Sequence, residues 1–311
     1  AMDDRRPGAS PALLAARAAM LADIRGFFAA RDVLEVETPL LCSTAVTDPS
    51  LQPLSCDGRW LQTSPEYAMK RLLAAGSGPV YQVCKAFRAE EAGRRHNPEF
   101  SLLEWYRPGW DDLQLLAEVG ELVSRLLGRD GWQVVTYRDC FLEHLRLDPW
   151  TASEAALAST ARERIELGFD EAPRDTWLDL LLTHCIEAAL PAGLLFLVDY
   201  PVTQASLARL SRRGGVEVAE RFELYVDGVE IANGYSELVD PDEQSRRFAA
   251  ERQRLREAGA ADRAVDEALL AALRSGLPEC AGVALGLDRL LMLREGCERI
   301  DEVLSFSWAR S

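Results

Sequence analysis

Three clusters of side chains in this chain could do chemistry together. The first is Phe87-Arg88-Ala89-Glu90-Glu91, followed by a run of mixed charge and then His96-Asn97-Pro98-Glu99-Phe100, with Glu104 and Tyr106 on the extended segment beyond. Two extended segments joined by a charged loop can bring an arginine, a histidine and an aromatic ring to one mouth. That set suits a nucleotide: cations for the phosphates, a ring for the base, amide or carboxylate groups for the base edge. A solvated hairpin with ordinary surface charges is the alternative.

The second cluster spans Glu220 to Leu238. Its center, Asp227-Gly228, accepts positive φ readily and marks a hairpin turn, so Glu223 and Glu230 fall on opposite arms and could face one another across it. Two carboxylates so placed can share a divalent cation, with Mg²⁺ and nucleotide phosphates the natural guests. Glu237 follows Glu230 by an odd step that puts it on the other face of a regular strand. Asn233-Gly234 must therefore bend or bulge if Asn233, Tyr235 and Glu237 are to serve the same pocket as Glu230. An exposed acidic hairpin is again the alternative. In the third cluster, Gly282-Val283-Ala284-Leu285-Gly286-Leu287-Asp288-Arg289, a small-residue strand runs into a helix with an arginine in its first turn. Such a strand leaves backbone space for a ligand and sets a cation beside it, although its glycines could serve close packing alone. His144 and His184 stand apart from these clusters and read as helix or core residues.

The elements that position the clusters follow from periodicity. Ser10-Pro11 caps and starts a helix predicted over about 11 to 31, whose stripe is Leu14, Ala18, Leu21, Ile24 and Phe28. Strands are predicted at 33–36, 60–63, 80–87, 100–106, 194–200, 217–226, 229–238, 282–285 and 303–306, and helices before Gly76, over 111–128, over most of 140–190, over 241–274 and over 286–295. Hairpin-linked strands separated by helices, without a repeating β-α-β rhythm, imply an α+β fold with a mostly antiparallel sheet flanked by helices. No linker divides the chain. One domain over 11–311 is expected, after an N-terminal extension of residues 1–10 and with a helical insertion around 140–190. Ala1 ahead of Met2 reads as the scar of a cleaved tag and is set aside.

Composition narrows the function. Among 311 residues, 35 basic and 50 acidic side chains give a net charge of −15, the wrong sign for holding a polyphosphate backbone and the right one for a basic protein or a small cationic ligand. No stretch approaches the roughly 18 apolar residues of a membrane span, and the N-terminus lacks a signal core. Seven cysteines form no C-x-x-C pair, so neither a zinc site nor a disulfide scaffold is suggested, and a reducing cytoplasm is the expected location.

In this order the clusters resemble the three signature motifs of class II aminoacyl-tRNA synthetases, with wording closest to the lysyl branch. The first helix and Leu34-Glu35-Val36-Glu37-Thr38-Pro39 resemble motif 1, a dimer-interface element, so a homodimer is implied. Phe87 to Glu91 with His96 to Phe100 resembles motif 2, and Gly286 to Arg289 motif 3. Within the branch, Thr63-Ser64-Pro65-Glu66-Tyr67, Glu104 to Pro108 and Ser206-Leu207-Ala208 resemble the paralogues that ligate (R)-β-lysine to a lysine of elongation factor P. The resemblance implies ATP and Mg²⁺, with Arg88 and Arg289 catalytic. Arg88 would hold the α-phosphate, Glu90 and Asn97 the adenine side, His96 the outer phosphates, and Phe100 and Arg289 would sandwich the adenine; Ile231 and Gly286 would also touch ATP. Glu223 and Glu230 would carry the metal. Ser64, Pro65, Glu66, Glu104, Tyr106, Asn233, Tyr235, Glu237 and Ala284 would line the amino-acid pocket, with Glu237 on the distal ammonium. A dicationic substrate needs such buried counter-charges, because its desolvation would otherwise cost several kcal/mol.

Two departures separate this chain from a lysyl-tRNA synthetase. Only about ten residues precede the first helix, so neither an anticodon-binding barrel nor a tRNA partner is expected. Ala284 stands where the synthetase motif usually has Gly. A third departure, Ala89 in place of the usual Asn of motif 2, puts the adenine contacts there in question. The expected activity is ATP-dependent ligation of (R)-β-lysine or lysine to elongation factor P; the alternatives are a stand-alone lysyl-tRNA synthetase core, a small-molecule amide ligase, or a non-catalytic synthetase-like regulator.

Overall fold

Ser10 and Pro11 open the first helix, Pro11–Ala29, as their chemistry predicts: Ser10 Oγ accepts from the Leu13 N–H at 3.3 Å, and proline takes the first turn. The computed structural model describes residues 6–89 and 92–311, which group into two compact units. The first runs to Trp110 and resumes over Leu238–Ser311; the second is Asp111–Glu237.

In the first unit, Leu34–Glu35 pairs parallel with Val80–Phe87, which pairs antiparallel with Glu99–Pro108, itself antiparallel to Cys280–Gly286. Tyr81, Trp105 and Val283 stand opposite one another across three of these strands, and all three are buried. Phe28 of the first helix stacks on Tyr81 with centroids 4.3 Å apart and meets Trp105 edge-on at 5.3 Å. That contact gives the helix its place, since paired aromatic rings add to the burial of their own area. Met20, Ile24, Phe27 and Phe28 form the helix's buried side, whereas Leu14 and Ala18 of the predicted stripe are exposed. Because strand side chains alternate, Gln82, Glu104 and Ala284 line up on the opposite face of the same strands.

The second unit carries Gln133–Thr136 parallel to Leu194–Tyr200, then Val216–Val226 and Val229–Ser236 in antiparallel succession. Asp227 and Gly228 both take positive φ, 51° and 73°, the backbone of a tight two-residue hairpin. Helix Asp112–Leu127 begins on a capping box between Asp111 and Gln114 and ends at left-handed Gly128. The segment 140–190 is largely helical, with Tyr137–Leu145, Glu154–Arg164 and Arg174–Leu181 packed on a core that includes Tyr137, Trp177 and Tyr200.

The architecture is α+β with mostly antiparallel pairing, as expected. The strand predicted at 303–306 does not form. A 3₁₀ turn, Ile300–Glu302, precedes it, and the main-chain carbonyls are satisfied without a ladder. Ser305 O and Leu304 O accept from Gly8 and Ala9, and Val303 O from Arg17, so the apolar run Val303 to Phe306 had partners other than a sheet. In a small sheet of Leu41–Cys42, Arg59–Leu61 and Ser55–Cys56, the middle strand overlaps the one predicted at 60–63, whereas its two short neighbors carry little alternating pattern and escaped the sequence. Among the described residues no helix is long and apolar enough to cross a membrane.

Candidate active site

The first unit holds the residues of the first and third clusters. Arg88 leaves the end of strand Val80–Phe87, its N–H donating to Pro98 O at 2.9 Å. Its guanidinium reaches Thr63 O at 3.4 Å and lies 5.0 Å from the center of the Phe100 ring. A cation and a flat aromatic face thus share one place, as a nucleotide phosphate beside its base requires. Glu90 lies outside the described residues.

A bridge between Gly93 and His96 turns the chain back, and His96 Nε2 meets the guanidinium of Arg289, which also donates to Arg95 O at 3.3 Å. Arg289 is set by its neighbor. Asp288 is buried, accepts from Arg17 at 2.5 Å and from the Ser101 N–H at 2.7 Å, and so ties the first turn of helix Leu287–Arg294 to the first helix and to strand Glu99–Pro108. Asn97 is also buried. It donates to Glu99 O at 2.6 Å and accepts from the Trp308 N–H at 2.9 Å, so its carboxamide braces the loop from within.

The first unit's residues expected to line an amino-acid pocket lie on one sheet face and at one helix start. Tyr106 Oη donates to Glu104 Oε1 at 2.8 Å, and Ala284 stands directly opposite Glu104. Burial, reinforced by Glu104, pushes the nearby Cys84 thiol up to about 12, so it carries no thiolate at neutral pH. Ser64 Oγ accepts from the Glu66 N–H at 3.3 Å at the start of helix Glu66–Ala74, and Glu66 pairs with buried Lys70 at 2.6 Å. Ser64 and Pro65 line a cavity of ≈ 220 Å³ together with Thr63, Tyr67 and Cys42.

In the second unit the hairpin register differs from the simple expectation. Glu223 stands opposite Asn233, not Glu230; Glu230 stands opposite Tyr225. The ladder slips between Leu224 and Tyr225, leaving Ile231 as the extra residue. The irregularity required for one shared face therefore sits at Ile231, two residues before the Asn233-Gly234 position predicted for it. Its effect is the one required: Arg221, Glu223 and Tyr225 on one strand share a face with Tyr235, Asn233 and Glu230 on the other, and Glu237 continues two residues on.

Glu223 is held from both sides. Its Oε1 accepts from Arg221 at 2.5 Å and its Oε2 from the Tyr225 hydroxyl at 2.7 Å. Burial, then the charge of Glu223, pushes the Tyr225 phenol well above its ordinary range, so this hydroxyl stays protonated and donates. Asn233 Oδ1 is buried with no hydrogen-bond partner among the described residues. A bare buried carbonyl oxygen is costly unless a ligand satisfies it.

The family model described as tRNA synthetases class II (D, K and N) matches residues 2–310. The chain belongs to these class II tRNA synthetases. It is 45% identical to a Pectobacterium atrosepticum protein named elongation factor P–(R)-beta-lysine ligase, across 98% of each chain. A Pectobacterium carotovorum protein of the same name is 46% identical, again across 98% of each, and one from Yersinia pestis 45% identical across 97% of this chain and 96% of its own.

For a class II synthetase the donor set can be tested for a metal. Among the described residues no group of three or more His, Cys, Asp or Glu side chains converges as a metal cage. Glu223 and Glu230, two carboxylates on one strand-pair face, suit a hard cation that takes its remaining ligands from phosphate oxygens and water. The set fits Mg²⁺ in that form.

Three residues that brace the candidate site residues escaped the sequence. Lys70 sits four residues after Glu66 on one helix, a spacing that could have signaled the pair. Arg221 lies two residues before Glu223, on the same strand face, and Asp288 is the residue before Arg289.

Proposed function

We propose that the protein is an ATP-dependent ligase that activates (R)-β-lysine as an aminoacyl-adenylate and transfers it to the ε-amino group of a lysine on elongation factor P. The observation that carries this reading is the near full-length similarity to proteins of that name, joined to an intact set of arginines and acids. The substrate carboxylate attacks the α-phosphorus of ATP and pyrophosphate leaves. The acceptor amine then attacks the adenylate carbonyl, AMP leaves, and an amide remains. No side-chain nucleophile takes part.

Arg88 and Arg289 would offset the charge that builds on the phosphates, Phe100 would support the adenine and His96 the outer phosphates. Glu223 and Glu230 would hold Mg²⁺, which when bound draws charge from the phosphate oxygens. Glu66, Glu104, Tyr106, Asn233, Tyr235 and Glu237 would receive the two ammonium groups, which explains acids where a neutral substrate would need none. We assign residues 11–311 to one catalytic domain, since the family match spans both units. The exposed Leu34, Leu40 and Leu41 around the motif 1 strand support a homodimer, and the cytoplasm, home of translation factors, is the assigned location.

The test is ATP–pyrophosphate exchange with (R)-β-lysine as the amino acid. Exchange that depends on the amino acid is expected; exchange absent with both (R)-β-lysine and lysine would overturn the reading.

A further inference from the structure

The loop that follows strand Leu194–Tyr200 is fastened at both sides. Pro201 leads into the 3₁₀ turn Val202–Gln204, and Ser206 then takes a left-handed φ of 51°. On one side Thr203 donates to Asp175 at 2.6 Å and Gln204 Nε2 to Asp179 at 2.7 Å, tying the loop to helix Arg174–Leu181. On the other side stands Arg221. Its Nη1 donates to Gln204 O at 2.7 Å, its Nη2 to Glu223 Oε1 at 2.5 Å, and its guanidinium lies 4.4 Å from the center of the Tyr200 ring. Farther along, Ala208 bridges to Glu237, and the Arg209 N–H donates to Ser236 O at 2.8 Å.

One guanidinium thus touches a metal-site carboxylate and the loop that runs beside the acid assigned to the distal ammonium. We propose that Arg221 is a positioning residue with two ends, fixing the Glu223 carboxylate and the 204–208 loop that walls Glu237, so that metal and amino acid are held by one fork. The proposal rests on the ligase reading above. A planar guanidinium spans two acceptors in fixed directions; an ammonium on a flexible stem serves as one point charge. Each carboxylate oxygen of Glu223 has a second lone pair, so bonds to Arg221 and Tyr225 orient it without exhausting it.

Two variants separate the ends. Arg221→Lys keeps the charge and loses the fork; Gln204→Ala loosens only the loop. The readouts are KM for Mg·ATP and for (R)-β-lysine in pyrophosphate exchange, and the rise in melting temperature that (R)-β-lysine causes with no nucleotide or metal present. Arg221→Lys is expected to raise both KM values about 10-fold, the scale of one weakened charge-assisted hydrogen bond. Gln204→Ala is expected to raise only the (R)-β-lysine KM and to shrink the amino-acid-induced melting shift. A fall in kcat at unchanged KM in Arg221→Lys, or a Gln204→Ala protein with wild-type KM and melting shift, overturns the proposal. If Arg221→Lys fails to fold, Arg221→Gln takes its place with the same expectation for both KM values, because Gln204→Ala leaves the Arg221 bond to the Gln204 main-chain carbonyl intact. Absence of exchange in the wild type indicts the ligase reading instead, and the melting shifts still judge the loop.

Discussion

Ala284 stands directly opposite Glu104 on neighboring antiparallel strands, and Gln82 stands opposite Glu104 on its other side. Directly opposed strand residues present their Cβ atoms on one face, about 4.5–5.5 Å apart. The Ala284 methyl therefore borders the carboxylate that we assign to the amino-acid pocket, and on that assignment would narrow the space beside the substrate's α-carbon. Moving the amino group one carbon along relieves that contact. One methyl in a shaped pocket discriminates by roughly 1–3 kcal/mol. Ala284→Gly is expected to raise kcat/KM for lysine relative to (R)-β-lysine by about 10-fold or more. An unchanged ratio would assign Ala284 to packing alone.

Glu230→Gln removes a charge and almost no volume from the hairpin face. Adenylate formation is expected to fall by about 100-fold or more, because a metal's charge stabilization is worth several kcal/mol. Circular dichroism and melting should stay near wild type. Pyrophosphate exchange at the wild-type rate in a folded Glu230→Gln protein would remove this residue from the metal site.

Stability should depend on pH through Glu251. Its Oε2 accepts from Thr47 at 2.5 Å, and burial raises its carboxyl to about 7 from an ordinary 4.5, the Thr47 bond opposing. Between those values the folded state binds more protons than the unfolded one, so stability falls as pH rises from about 4.5 to about 7. The full effect is on the order of 1–3 kcal/mol. Glu251→Gln cannot ionize and should lose this slope. Melting curves at pH 5 and pH 8 check it: the wild type should lose a few degrees more than the variant over that interval. Equal losses would show that Glu251 does not ionize on unfolding in this range.

The sequence was most legible where one residue type has one use. Asp227-Gly228 marked its hairpin because both positions need positive φ, and the Trp105 strand stood out through its apolar residues. The bulge at Ile231 was legible as a requirement, from the odd spacing of Glu230 and Glu237, but not as a position, because either strand segment could absorb an extra residue. Val303 to Phe306 read as a strand from its composition, and only the placement of Gly8, Ala9 and Arg17 shows who takes its carbonyls. Bracing residues such as Arg221 and Asp288 were invisible for a similar reason: their partners are set by the fold, and a charged residue beside a motif carries no mark of whom it will meet.

Transfer to the acceptor should be sensitive to salt. A chain of net charge −15 attracts a lysine presented on a basic surface, and that attraction weakens as the screening length shortens from about 10 Å at 0.1 M salt toward 3 Å at 1 M. The rate of transfer at subsaturating acceptor is expected to drop several-fold over this range, while adenylate formation changes little. A transfer rate indifferent to salt would place recognition in apolar contacts.

The most direct test of the ligase assignment is to offer the enzyme, with ATP, Mg²⁺ and (R)-β-lysine, purified elongation factor P and bulk tRNA in one reaction and follow both acceptors by intact-mass and acid-gel analysis. The assignment predicts a mass increase of one lysyl residue on elongation factor P, lost when its acceptor lysine is changed to arginine, with the tRNA left uncharged. Charged tRNA beside unmodified elongation factor P would contradict it.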